Sequence, residues 1–162
     1  HTPPGPMNMK KENSFWAIFC KGILSGAEFL TTFDSFESFD KFVYSFSFND
    51  ISIAGLPILI DCEVYGMGFP LACDFLKELG YRNYGKPDTH TITILYEIGV
   101  APSRSVYDIF KTMVKVAKAN DQTTVIVDYI LWLIGSGKYV GENETIVMQK
   151  QAFIQEIKPK LE

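Results

Sequence analysis

Apolar residues recur along most of this chain at intervals of three and four, the period of helices that bury one side. Residues 14–24 carry Phe15, Ile18, Phe19, Ile23 and Leu24 at that spacing, with Gly22 or Gly26 as the expected stop. Asp34 and Glu37 read as a capping box ahead of a second helix, whose Phe36, Phe39, Phe42, Val43 and Phe46 share one side. Seven of the 13 Phe lie between Phe29 and Phe48, and an aromatic stripe at helical spacing reads as core rather than as a base-stacking surface. Gly55-Leu56-Pro57 starts a third helix, with Pro57 in the first turn where its missing N–H costs little, running to about Tyr65. A fourth spans residues 69–79 and stops at Gly80. After a polar loop, 81–87, Asp88 stands before a fifth run through Ile92, Leu95, Tyr96 and Ile98, closed by Gly99; Pro102 and Ser103 open a sixth. The β-branched run 123–127 reads as a strand by propensity alone, but its continuation through Ile130, Leu131 and Ile134 favours a helix ending at Gly135. A last helix is expected over 146–157. No alternating strands joined by a hairpin turn are expected, and no repeat of fixed period is visible. The expected fold is all-α, one compact multi-helix domain over residues 9–162.

Composition supports a packed interior: 162 residues, 47% hydrophobic and 21% charged, suffice for one core but hardly for two. A net charge of -4 argues against wholesale coating of nucleic acid or an anionic membrane. The charge is uneven. Residues 1–65 hold 4 basic and 8 acidic groups, residues 66–118 hold 7 and 5, and residues 119–162 hold 4 and 6, so only the middle segment is basic. Cys20, Cys62 and Cys73 are an odd, widely spaced set without a Cys-x-x-Cys pair, read as buried thiols in a reducing cytoplasm rather than as a disulfide or metal framework. No metal site is expected. No run of about 18 apolar residues predicts a membrane span. Residues 1–8 look like an expression scar or an unstructured start, and Leu161-Glu162 looks vector-derived.

The informative stretch is Tyr65-Gly-Met-Gly-Phe-Pro-Leu-Ala72, followed after the fourth helix by Gly85-Lys-Pro-Asp-Thr-His90. A helix, a Gly-x-Gly turn and a second helix form a hairpin that needs glycine's backbone freedom, and amides at the second helix's start suit a phosphate oxygen. With its downstream element this region resembles the helix-hairpin-helix superfamily of DNA base-excision glycosylases, the endonuclease III type. Gly66, Gly68, Ala72 and Asp88-Thr89-His90 stand in the order of that family's motif, and Trp132-Leu-Ile-Gly-Ser-Gly-Lys-Tyr139 looks like the stretch that closes its catalytic core. The resemblance covers residues 56–139. Residues 71–80 and 86–88 also look like a narrower bacterial group carrying Leu-Ala-Cys-Asp-Phe-Leu-Lys-Glu-Leu-Gly and Lys-Pro-Asp.

The resemblance implies a catalytic role for Asp88, which occupies the slot of the family's essential aspartate, proposed there to activate water or to stabilise an oxocarbenium-like sugar. A plain helix N-cap is the alternative for Asp88, and the two overlap. Pro70 stands where bifunctional members carry the Schiff-base lysine, so lyase chemistry through that position is excluded. No cysteine follows Cys73, so the family's iron–sulfur loop is missing, and Thr93 replaces an arginine common after the tripeptide. A monovalent cation on hairpin carbonyls is the only cofactor the resemblance allows. Gly66, Gly68, Phe69, Lys77, Arg82 and Lys86 are the candidate DNA contacts; each basic group reads equally well as a solvated surface residue. Tyr84, His90 and Trp132 are candidates for a pocket holding an extruded base, and Tyr81 for stacking, with core packing the stronger reading of Trp132. Asp74, Glu78 and Asp128 read as surface or capping carboxylates. Two functions remain in view: a monofunctional glycosylase-like protein acting on double-stranded DNA, or a non-catalytic DNA- or protein-binding module derived from one.

Overall fold

A computed structural model describes residues 14–140, 145–147 and 149–161; the opening segment read as an expression scar lies outside them. The fold is helical, and the chain divides between Gly68 and Phe69 into two compact units.

The first unit holds α1 (Phe15–Thr31), α2 (Phe36–Ser45) and α3 (Ser52–Glu63). Ser14 caps α1, its hydroxyl accepting from Ala17 N at 3.2 Å. Gly22 and Gly26 do not stop α1. A Cβ on Gly22 would stand 3.1 Å from Tyr65 O and one on Gly26 3.7 Å from Val64, so these glycines let the helix lie close against residues 64–65. The capping box of α2 is Ser35 with Ser38, each side chain bonding the other's backbone N–H, one position away from the expected Asp34–Glu37. α3 begins at Ser52, ahead of the expected start, because Asn49 Oδ1 accepts from both Ile51 N and Ser52 N at 2.8 Å. Pro57 therefore lies inside the helix, where it removes one backbone bond. The phenylalanines cluster as expected. Phe33 meets Phe29, Phe39 and Phe42 at centroid distances of 5.5, 5.1 and 5.0 Å, mostly edge to face, the geometry that ring quadrupoles favour. Phe39, Val43, Leu56 and Ile60 are buried.

The second unit holds α4 (Phe69–Glu78), α5 (Thr89–Glu97), α6 (Val106–Ala119), α7 (Thr124–Ser136), a two-stranded antiparallel ladder of β1 (Lys138–Val140) and β2 (Thr145–Val147), and α8 (Lys150–Leu161). This ladder corrects the expectation that no strand pair occurs, and it displaces the start expected for the last helix at residue 146. Gly137 in the left-handed region ends α7 and turns the chain into β1. The β-branched run before Asp128 is helical. Tertiary burial overrides its propensity: Thr124, Val127, Leu131 and Ile134 all face inward. Val127, Leu131 and Ile134 join Ile94, Leu95, Ile109, Met113 and Ile154 in one core, where each fully buried aliphatic side chain contributes about 1.5–3 kcal/mol. Gly80 and Gly99 are left-handed and stop α4 and α5 as expected. α6 starts at Val106, after a bend through residues 101–104. Of the three cysteines only Cys73 is buried; Cys20 is half-buried and Cys62 exposed, which corrects the reading of all three as core thiols. Among the described residues no helix is long and apolar enough to cross a membrane.

Candidate functional site

The site is built where the loop after α4 is clamped onto α7. α4 closes with the bonds of a left-handed C-terminal turn, Gly80 N to Lys77 O at 2.9 Å and Tyr81 N to Leu76 O at 3.1 Å. The loop then meets α7 at several points. Val125 N donates to Arg82 O (3.2 Å), Gly85 N to Thr124 Oγ1 (2.8 Å) and Lys86 N to Asp128 Oδ2 (3.0 Å). A Cβ on Gly85 would fall 2.3 Å from Thr124 O, so only glycine lets the loop approach this closely. Farther along α7, a Cβ on Gly135 would fall 2.3 Å from His90 Cβ, so the start of α5 is equally tight against the helix. Asp88 lies between these two anchors. A three-residue turn, Asp88 N to Lys86 O at 2.9 Å around Pro87, delivers it to the N-cap of α5. There its Oδ1 accepts from Thr91 N at 2.8 Å, the ordinary work of an N-cap aspartate. Its second carboxylate oxygen has no hydrogen bond among the described residues, and the residue is half-buried.

A charged network joins this loop to α4 and α7. Lys77 Nζ is 2.7 Å from Asp74 and 3.4 Å from Asp128, and Lys86 Nζ is 3.0 Å from Asp74. Asp128 is 6% exposed, so the reading of it as a surface or capping carboxylate is corrected: it is a buried acceptor that fixes the loop. Burial pushes its carboxyl above the usual range, with Asp88 adding to the rise, against the opposing pull of Lys86 N–H and Lys77. For Asp74 burial also acts upward, but hydrogen bonds from Lys77 and Lys86 outweigh it and hold the carboxyl below its ordinary value. Lys77 behaves in mirror image, with burial pulling down and Asp74 and Asp128 holding it up. The Cys73 thiol beside them is pushed well up by burial first and by Asp128 and Asp74 after it, which makes it a poor nucleophile.

The other candidates scatter. Gly66 is left-handed (φ 72°), whereas Gly68 is not; Gly68 precedes α4 directly. Val64 O accepts from Met67 N at 3.1 Å, so one carbonyl of this turn is already engaged. Phe69 is buried and meets Phe110 edge-on at 5.5 Å, a core role instead of a DNA contact. Tyr84 is 1% exposed and stacked on Phe110 at 6.2 Å, so it cannot line an accessible base pocket, and Tyr81 is buried too. Trp132, expected in the core, is 45% exposed. It stands four residues after Asp128 and three before Gly135, on the stripe of α7 that faces the Asp88 turn. His90 is half-buried, and its Nδ1 has no hydrogen-bond partner among the described residues. Arg82 is exposed, and its guanidinium makes no ion pair among the described residues, unlike Lys77 and Lys86. A cavity of about 560 Å³ opens elsewhere in this unit, around Leu95, Ile98, Val116, Ile126 and Ile130, and none of these candidates lines it. Among the described residues no group of three or more His, Cys, Asp or Glu is placed to hold a metal ion. Sequence reasoning gave no role in the site to Gly85, Thr124, Asp128 or Gly135, and it read Gly135 as the end of a helix that runs on to Ser136; the one signal was Asp128 itself, an acid in the middle of an otherwise apolar helix face. No protein-family model, curated protein or solved structure matches this chain.

Proposed function

We propose that the chain is a monofunctional DNA glycosylase-like protein in which Asp88 assists hydrolysis of the N-glycosidic bond of a damaged or modified base. The observation that carries this reading is Asp88 itself: a half-buried N-cap carboxylate, fixed through one oxygen by Thr91 N, with its other oxygen unengaged. That free oxygen suits either of two tasks, accepting a proton from an attacking water or facing the positive charge that develops on the sugar as the base departs. The target must be extruded from the duplex, since the reacting carbon is shielded in the stack. The exposed Trp132, on the stripe of α7 that runs beside the Asp88 turn, offers an extruded base a stacking face, and Arg82 offers a phosphate an uncommitted cation. Pro70 cannot form a Schiff base, so the reading is hydrolysis without strand cleavage. No step is routed through the monovalent cation that the resemblance allows.

A second reading, a non-catalytic DNA- or protein-binding module, is favoured by the burial of Tyr84 and by the pairing of Lys77 and Lys86 with carboxylates. The deciding experiment incubates the protein with duplex oligonucleotides carrying a panel of modified bases and assays abasic sites, with Asp88→Asn in parallel. Asparagine keeps the cap, so a loss of base release reports chemistry rather than unfolding. Duplex binding without Asp88-dependent release supports the module; no salt-sensitive binding removes both DNA readings.

A further inference from the structure

Of the residues of α1 only Ala17 is fully buried. Toward residues 64–66 the helix presents Ile18, Gly22, Ser25 and Gly26: Ser25 Oγ accepts from Tyr65 N at 3.0 Å, and Ile18 Cγ2 lies 3.1 Å from where a Gly66 Cβ would stand. At 100° per residue the opposite side is Cys20, Ile23, Leu24 and Ala27, with Phe19 and Leu30 at its margin. Ile23 is 57% exposed, Leu24 65% and Phe19 49%. Cys20 is half-buried and Ala17, a turn earlier on the same side, is buried, so the open part of the row runs from Phe19 to Leu30, about three turns, and an apolar row of that length marks an interaction surface. α1 carries two charged residues, Lys21 and Glu28, seven positions apart on one edge of that row. Lys21 Nζ also lies 5.7 Å from the centre of the Tyr65 ring, on the packed side of the helix.

We infer that α1 pairs antiparallel with α1 of a second copy of this chain. The charge pattern selects this occupant. An antiparallel pairing centred between Leu24 and Ser25 sets Lys21 of each copy level with Glu28 of the other, on the same edge, twice over. A parallel pairing leaves the two residues on opposite edges. A membrane surface is a poorer match, because a helix lying in a bilayer interface carries a Lys- and Arg-rich polar face and α1 has one lysine. A single helix pair covers less than a standard interface, and residues 14–68 hold 7 acidic against 2 basic groups, so the association is weak and depends on concentration.

Sedimentation over a range of concentrations reads the association directly. The expected result is a monomer–dimer equilibrium, weakened about tenfold by Lys21→Glu or by Glu28→Lys, each of which sets like charges together twice. An equimolar mixture of these two variants restores wild-type affinity or better, since every pair across the mixed dimer is then of opposite sign; a merely misfolded variant gives no such rescue. Oxidation in a Cys62→Ser background supplies the register. Leu24→Cys crosslinks, whereas native Cys20 does not, because its two copies lie roughly 13 Å apart along the axis. A monomer at every concentration overturns the proposal, including one that dimerises only after removal of residues 1–13. So does a dimer indifferent to both charge reversals, or a Cys20–Cys20 crosslink.

Discussion

Replacing Asp128 separates the two things this carboxylate does, accepting hydrogen bonds and carrying a buried charge. In Asp128→Ala the Lys86 amide, now 3.0 Å from Oδ2, loses its acceptor in a partly buried place, and Lys77 loses the weaker of its two carboxylates while keeping Asp74 at 2.7 Å. An unsatisfied buried N–H costs about 1–3 kcal/mol. Removal of a desolvated charge offsets part of that, leaving a loss of about 2 kcal/mol. For a chain of this size such a loss lowers Tm by about 4–8 °C. Asp128→Asn keeps a carbonyl oxygen for Lys86 N and sheds the charge, so its cost is within about 1 kcal/mol of zero. Because the folded carboxyl is raised, Asp128 contributes most to stability below its unfolded value of about 3.9, and that contribution is lost as pH rises through the folded value. Wild type should therefore compare best with Asp128→Asn in acid and worst near neutrality. Thermal unfolding across that pH range, with hydrogen exchange at the Lys86 amide, checks both parts: protection there falls in the alanine variant and survives in the asparagine variant. Equal losses in the two variants, or unchanged Lys86 exchange in Asp128→Ala, would refute the assignment of Asp128 as the acceptor that holds the loop.

Other substitutions test the remaining geometry. Gly135→Ala places a carbon 2.3 Å from His90 Cβ, so α5 must shift on α7; urea unfolding should show a loss of about 1–3 kcal/mol, with Asp88-dependent base release falling too. Asp88→Ala should cost about 1 kcal/mol in thermal unfolding and Asp88→Asn only a few tenths, while both abolish base release. Arg82→Ala should reduce the salt dependence of duplex binding by about one phosphate contact, and Lys86→Ala by less, because Lys86 is already held by Asp74 at 3.0 Å; an equal effect of the two would show the ion pair opening on DNA.

The helices were legible because their causes are local. Period, capping side chains and left-handed glycines act within a few residues, which is why α4 and α5, with Gly80, Asp88 and Gly99 at their ends, lie where the pattern sets them. The failures have a common source. Gly22 and Gly26 look like stops, but their backbone is helical and their small size serves a chain some 40 residues away. Residues 146 and 147 read as the start of the last helix, yet they pair with residues 139 and 138 in a ladder that follows the left-handed Gly137.

For the site the division is similar. The local sequence is enough to establish that Asp88 caps a helix after a tight loop, because an aspartate followed by helix-forming residues needs no distant partner to accept an N–H. It also determined that Pro70 cannot serve as an amine nucleophile. Long-range packing settled which charges are free. Lys77, Lys86 and Arg82 are indistinguishable as letters, and the first two are neutralised by Asp74 and by Asp128, the latter 42 positions beyond the Lys86 amide it accepts from. It decided likewise that Tyr84 is core and Trp132 surface, because burial depends on which helix packs against a side chain, and that choice is made by the whole chain.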